Sequence, residues 1–222
     1  AFSAPSMAQM FSSAINLGSV RDVNDSVFVR QASTGNPNLK PATSTNSNIG
    51  LIFQKNDLRI SFDIWEIEYE NRIEVESAQA ILSSNPFGPS ITRNEFGDLI
   101  GVTTTYFNED NTLVKGIDFQ IQYLINLKRS DLSINLMGTN LYDFKTPSLT
   151  DQNLMVNRVG KFNFDNHTFS LPKKRINSFV SWNFKDLSVS LNSRYLDGYV
   201  NERAITGLGL TYGYSNQVKS FF

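Results

Sequence analysis

Apolar and polar residues alternate one by one through much of the chain. Leu58, Ile60 and Phe62, for example, are separated by Arg59 and Ser61. Successive side chains of an extended chain point to opposite faces, so a period of two predicts strands with one apolar and one polar face. Six stretches carry the pattern: 48–53, 58–64, 117–125, 132–136, 176–184 and 187–191.

The predicted strands are joined by connections of two very different lengths. Short polar segments separate pairs of alternating stretches and predict three β-hairpins, at 54–57, 126–131 and 185–186. Between the hairpins we expect long irregular loops, at 12–42, 70–111 and 145–173. Soluble domains seldom contain several structureless loops of this size, whereas outer-membrane barrels combine short periplasmic turns with long extracellular loops.

Aromatic residues lie near both ends of the predicted strands. Trp65, Tyr142 and Tyr195 follow the short turns by roughly the 9–11 residues that a tilted strand needs to cross the hydrocarbon core. Phe53 and Trp182 lie close to the turns themselves. Rings at both ends of an apolar band are typical of transmembrane barrels. They favour such a barrel over a soluble sandwich, jelly roll or lipocalin-type barrel, in which aromatic residues lie in the core.

Composition excludes several other classes of protein. The chain has 20 Lys and Arg against 21 Asp and Glu, so we expect no basic surface for nucleic acid. It has no cysteine, which removes disulfides and thiolate metal sites. The single histidine, His167, lies in a polar stretch, so we expect no catalytic residue, metal site or cofactor. The chain contains no run of about 18 apolar residues, so we expect no transmembrane helix.

Short motifs recur in order along nearly the whole chain. Phe-Ser-Ala-Pro-Ser at 2–6 is followed by Gly-Asn-Pro-Asn-Leu-Lys-Pro at 35–41 and Val-Lys-Gly-Ile-Asp at 114–118. In this order they resemble the late barrel strands of TonB-dependent receptors, a family of outer-membrane transporters. Ser3 stands where the family usually has Arg, and Ala42 where it commonly has Glu. Further similar segments lie at 63–67, 71–73, 171–175 and 194–199.

The resemblance implies an all-β fold built from the late strands of a roughly 22-stranded antiparallel transmembrane β-barrel. Residues 1–222 are then part of a TonB-dependent receptor barrel domain, and the plug domain and early strands are absent from this sequence. We expect the end at Phe222 to fall within a late strand, which means a truncated barrel. The alternative is a genuine C-terminal assembly signal, since a terminal Phe is typical of outer-membrane proteins.

The resemblance also implies a function, which is not that of an enzyme. Such receptors lie in the outer membrane of Gram-negative bacteria, in contact with its lipid. They take up a scarce nutrient, such as a ferric siderophore, another chelate or an oligosaccharide, with energy from the TonB complex. Two alternatives remain open from the residues alone: a passive porin-like outer-membrane channel and a soluble carbohydrate-binding β-sandwich.

Candidate ligand contacts follow from the same resemblance, because the family holds its ligand between the plug and the outer loops. Polar and aromatic loop residues suit a glycan or an organic chelate. Glu109 and Asp110 are expected to lie in a solvated loop, and Glu66, Glu68 and Glu70 to form a hydrated wall above the membrane. The predicted contacts are Tyr106, Asn108, Asp151, Asn153 and Arg158.

Overall fold

The computed structural model describes residues 1–23, 25–148, 154–162, 170–201 and 217–222. In these residues two short helices, α1 (Met7–Phe11) and α2 (Ala78–Ser84), accompany sixteen strands. Neither helix is long and apolar enough to cross a membrane. The strands are β1 (Phe2–Ser3), β2 (Ser13–Asp22), β3 (Asp25–Thr34), β4 (Ala42–Lys55), β5 (Leu58–Glu70), β6 (Arg72–Val75), β7 (Ile91–Arg93), β8 (Leu99–Glu109), β9 (Thr112–Leu127), β10 (Ser130–Pro147), β11 (Met155–Asn157), β12 (Lys161–Phe162), β13 (Lys174–Phe184), β14 (Leu187–Leu196), β15 (Tyr199–Asn201) and β16 (Gln217–Val218).

The largest sheet has the order β1-β4-β5-β9-β10-β13-β14, with β11 added beside β10. All of its pairings are antiparallel. The three predicted hairpins are confirmed as β4–β5, β9–β10 and β13–β14. Asn56 and Lys185 adopt positive φ angles of 49° and 51° in two of the tight turns. In the described residues this sheet does not close on itself, because its order begins and ends at different strands.

The register of the main sheet separates its two faces as the alternation predicts. Directly opposed residues lie on the same face, and Leu51, Phe62 and Phe119 form one apolar row across β4, β5 and β9. The apolar face is not covered by other described residues: Ile49 is 80% exposed and Leu191 64%. A soluble sandwich buries such a face between two sheets, so the observed exposure favours contact with lipid.

Two glycines leave room for aromatic rings packed against the main sheet. A Cβ at Gly116 would lie 2.3 Å from the Trp65 ring, and one at Gly138 would lie 2.6 Å from the Phe119 ring. A β-bulge lies opposite Gly116 on β10. The register of β10 shifts between Leu141, the partner of Gly116, and Asp143.

The prediction of irregular loops at 12–42 and 70–111 is wrong. These stretches contain β2, β3, β6, β7, β8 and α2, and they form a second sheet of order β2-β3-β8-β6, with β7 beside β8. Its small core contains Val20, Val29, Ala78, Leu82, Leu99 and Val102. These residues come from segments far apart in the chain, and each buries little apolar surface alone. The core exists only once β3 and β8 pair in parallel.

The second sheet lies at one end of the main sheet. It is built from the connections between β1 and β4 and between β5 and β9. Both connections leave the main sheet at the end opposite the short turns, because β4 and β5 are joined at their other ends by the Asn56 turn. The prediction of short turns at one end of the strands and long connections at the other is therefore confirmed, although the long connections are folded.

A charge placed on the apolar face tests whether that face contacts lipid. We expect Leu191→Arg to lower the free energy of unfolding from a bilayer by about 2–4 kcal/mol, because Leu191 lies midway along β14 and a guanidinium near the midplane loses its hydration. Ser190→Arg is the matched control, since Ser190 is the adjacent residue and lies on the polar face. The measurement is urea unfolding of the whole receptor in lipid vesicles, and equal losses for both variants would contradict the assignment of faces.

Candidate functional site

A cavity of about 350 Å³ lies where the second sheet meets the main sheet. It is bounded by α2, by the last residues of β8 and by the end of β10. The side chain of Ser77 caps the first turn of α2 by accepting a hydrogen bond from the backbone N–H of Ala80 at 3.3 Å. The lining residues are Glu76, Ser77, Ala80, Ile81, Ser84, Phe107, Asn108, Glu109, Asp110, Pro147 and Ser148.

The lining combines acidic, hydroxyl and apolar groups. Glu76 is held in place because its carboxylate accepts a hydrogen bond from the backbone N–H of Thr105 at 2.8 Å. Asp110 is exposed at the turn between β8 and β9. Among the described residues that line the cavity, none is Lys or Arg. The lining therefore supplies hydrogen-bond acceptors and negative charge, with the side chains of Ile81 and Phe107 as its larger apolar groups.

A buried ionic network lies beside the cavity. The Arg72 guanidinium binds the Glu109 carboxylate through both Nε and Nη2, and its Nη1 lies 2.7 Å from Oε1 of Glu74. The Thr112 hydroxyl donates to Glu109 at 2.9 Å, and the Phe144 ring lies under Arg72 at 5.9 Å. Glu109 is only 3% exposed, so the prediction of a solvated loop is wrong for this residue. The network links β6, β8, β9 and β10.

Burial has a direct electrostatic consequence for Glu74. Loss of hydration raises the pKa of its carboxyl above the ordinary value, the neighbouring Arg72 opposes this rise, and the negative charge of Glu109 adds to it. Removal of water is the largest of these effects, so Glu74 holds a proton more readily in the folded protein than in the unfolded chain. The carboxylates of Glu74 and Glu109 both contact the Arg72 guanidinium, and the contact with Glu109 is the shorter of the two.

Asn108 and Tyr106 organise the Asn-Pro-Asn-Leu-Lys-Pro segment. The Asn108 side-chain oxygen accepts from the backbone N–H of Lys40 at 2.7 Å, and its amino group donates to the carbonyls of Lys40 and Asn71 at 2.8 and 2.9 Å. The Tyr106 carbonyl accepts from the Asn36 amide at 2.9 Å. Strand β8 therefore fixes the path of the chain that leads into β4.

The five residues predicted as ligand contacts are distributed unevenly. Asn108 lines the cavity, whereas Tyr106 lies outside its lining on the same strand. Arg158 is buried, with its Nε 3.4 Å from the Thr146 hydroxyl. Asp151 and Asn153, like His167, lie outside the described residues. The sequence did not identify Glu76, Ser77 and Phe107, because only the fold brings α2 against the end of β8.

Comparison with protein families assigns the fold. The chain matches the model described as "TonB dependent receptor-like, beta-barrel" over residues 1–220. The chain belongs to this family. The resemblance deduced from the sequence motifs and the predicted antiparallel β fold are confirmed. The TonB-dependent receptor family and its fold are those of transporters and receptors.

Solved structures of the same fold are much longer than this chain. The ferric enterobactin receptor PfeA of Pseudomonas aeruginosa matches with a TM-score of 0.57 and 16% identity, covering 100% of this chain and 28% of that chain. The siderophore receptor PirA of Pseudomonas aeruginosa matches with a TM-score of 0.50 and 14% identity, covering 90% and 31%. At such identities the likeness shows the fold alone. A comparison with curated proteins found no match.

Breaking the buried network should loosen the second sheet. Arg72→Met leaves the Glu109 carboxylate buried without its cation, and we expect a loss of about 3–5 kcal/mol in local stability. Amide hydrogen exchange of the whole receptor should then accelerate in β6 and β8. Arg30→Met is the control, because Arg30 is exposed on the same sheet and forms no ion pair with a described residue. Unchanged exchange in Arg72→Met would refute the structural role of the network.

The raised pKa of Glu74 predicts a pH dependence. The folded state binds a proton more readily than the unfolded state, whose carboxyl has a pKa near 4.5, so the contribution of Glu74 is fully present below pH 4.5. That contribution is lost as pH rises through the higher folded pKa. The stability of the native receptor relative to Glu74→Gln should therefore fall with rising pH across this window. Denaturant unfolding of both proteins at a series of pH values measures the difference, and a constant difference would contradict the assignment.

Proposed function

We propose that this chain forms part of the barrel wall of an outer-membrane receptor that takes up a scarce nutrient in a TonB-dependent manner. The family match over residues 1–220 is the observation that carries the proposal. Outer-membrane lipid, the nutrient and the TonB complex are then its partners. The chain spans 28% of the length of PfeA, so most of such a receptor lies outside the residues described.

The two faces of the main sheet suit this role. The apolar face meets lipid, and its apolar band ends where Ile64 is followed on the same face by Glu66. Glu66 forms an ion pair with Lys115 at 2.6 Å, directly across the β5–β9 pairing. We place the membrane boundary at this charged level, where the sequence also predicts a hydrated wall. The polar face carries Asp63 and Asp118, which suit a hydrated interior.

The second sheet occupies the outer end of the barrel in this proposal. The short turns are periplasmic, so the long connections and the cavity between α2 and β8 face the medium. The second sheet has its own hydrophobic core, so it holds the residues that line the cavity in a fixed arrangement before a ligand binds. Such pre-organisation reduces the entropic cost of binding. The cavity is therefore our candidate for a contact with the nutrient, and Asn108 is the predicted residue within it.

Energised uptake distinguishes the proposed receptor from a passive porin-like channel. We expect cells that carry the whole receptor to accumulate a labelled nutrient, tested as ferric siderophores and oligosaccharides, only while TonB and the proton gradient are intact. A matched strain without TonB provides the control. Accumulation that continues in that strain, or after the gradient is collapsed, would assign the protein to passive channels.

A further inference from the structure

The cavity between α2 and β8 has a size suited to a small molecule or to one arm of a larger one. Its volume of about 350 Å³ lies at the lower end of the range of ligand sites. Strand β8 and the capped helix α2 form two of its sides, and the end of β10 forms a third. All three elements are joined to the rest of the fold by hydrogen bonds or by the Arg72 network, so the cavity does not depend on an isolated loop.

The charges around the cavity select against anions. Arg72 neutralises Glu109, but neither Glu76 nor Asp110 forms an ion pair with a described residue. The described lining contains no Lys or Arg to offset these two carboxylates. A polyanionic chelate would therefore meet repulsion here, whereas a cation would gain two attractive partners.

The remaining lining groups indicate what kind of cation fits. The Phe107 ring can face an ammonium group, and Ile81 can contact a short carbon chain. Ser84 lines the cavity, and its hydroxyl donates to the Ile81 carbonyl at 3.1 Å, so its oxygen can still accept a hydrogen bond from a polar substituent. A bare metal ion fits less well, since the described residues contain no group of three or more acidic or histidine side chains arranged to hold one.

We propose that this cavity binds a primary ammonium group carried on an organic ligand. The inference rests on the proposed function and narrows the nutrient to an amine-bearing compound. A basic peptide and a deacetylated amino sugar are two nutrients that carry such an ammonium group. Glu76 and Asp110 bind the positive charge, Phe107 faces the ammonium group, and the Ser84 oxygen accepts a hydrogen bond.

Binding to the purified whole receptor, measured by isothermal titration calorimetry, tests the proposal. The probes are dilysine, the glucosamine dimer and, as the uncharged match of that dimer, its N-acetylated form. We expect dilysine or the glucosamine dimer to bind and the acetylated dimer to bind about fivefold more weakly, since one ion pair contributes about 1 kcal/mol. Dilysine binding alone identifies a peptide nutrient, and glucosamine binding alone an amino sugar. The proposal would be overturned if neither amine binds, or if the acetylated dimer binds as tightly as the amine that binds.

Variants locate the binding site. We expect Glu76→Gln and Asp110→Asn each to weaken binding of the amine by about fivefold, and Phe107→Leu by about two- to fivefold. Glu76→Gln retains an oxygen that can accept from Thr105, and Asp110 is exposed, so both variants should fold. Glu95→Gln is the matched control, because Glu95 is an exposed acid on the turn between β7 and β8, outside the lining.

The outcomes separate this inference from the proposed function. Loss of affinity in Glu95→Gln equal to that in Glu76→Gln would show a general charge effect and would overturn the cavity as the site. If TonB-dependent uptake of another nutrient persists while the amine probes do not bind, the ammonium site is wrong and the receptor function stands. If no nutrient is taken up in an energy-dependent manner, the receptor function itself fails, whatever binds in the cavity.

Discussion

The antiparallel hydrogen-bond register across β4, β5, β9, β10, β13 and β14, which is continuous through the apolar band, is the constraint on which the other features depend. Each strand pairs in antiparallel register with its neighbours, so one alternation is imposed on six strands at once. A slip of one residue in a single strand would move its apolar side chains to the polar face. Bilayer lipid penalises such a slip strongly, because an unpaired polar group has no water partner there.

The bulge in β10 shows how the register is changed where the apolar band ends. Tyr142 is the extra residue, so Asp143 rather than Tyr142 pairs with Lys115. Beyond this point the odd-numbered residues of β10 continue the apolar face, and Asp143 there adds a charge beside Lys115. Phe144 is turned to the other face, where its ring lies under Arg72. One inserted residue thus ends the apolar row and supplies part of the buried network.

Local and non-local interactions account for what the sequence predicts and what it does not. The hairpin of β4 and β5, which begins its second strand at Leu58, can be predicted from the sequence because period-two alternation and a short turn are local signals. The second sheet depends on the parallel pairing of Arg30 with Gly101, and no local pattern specifies partners so far apart. Asn108 shows the same limit at the site. Its residue type suits a ligand, but only the fold reveals that Lys40 and Asn71 occupy its amide.

The cavity could not be predicted for the same reason, because residues far apart in the chain form its lining. It is also coupled to the ionic network beside it. Glu109 contributes to the lining, and its negative charge is cancelled only because Arg72 reaches it from β6. The negative charge available to a ligand therefore comes from Glu76 and Asp110, because Arg72 neutralises the carboxylate of Glu109. An interaction that anchors the second sheet to the main sheet thus also sets the electrostatic potential of the cavity. At Arg72 and Glu109, stability and the electrostatic potential of the cavity cannot be varied independently.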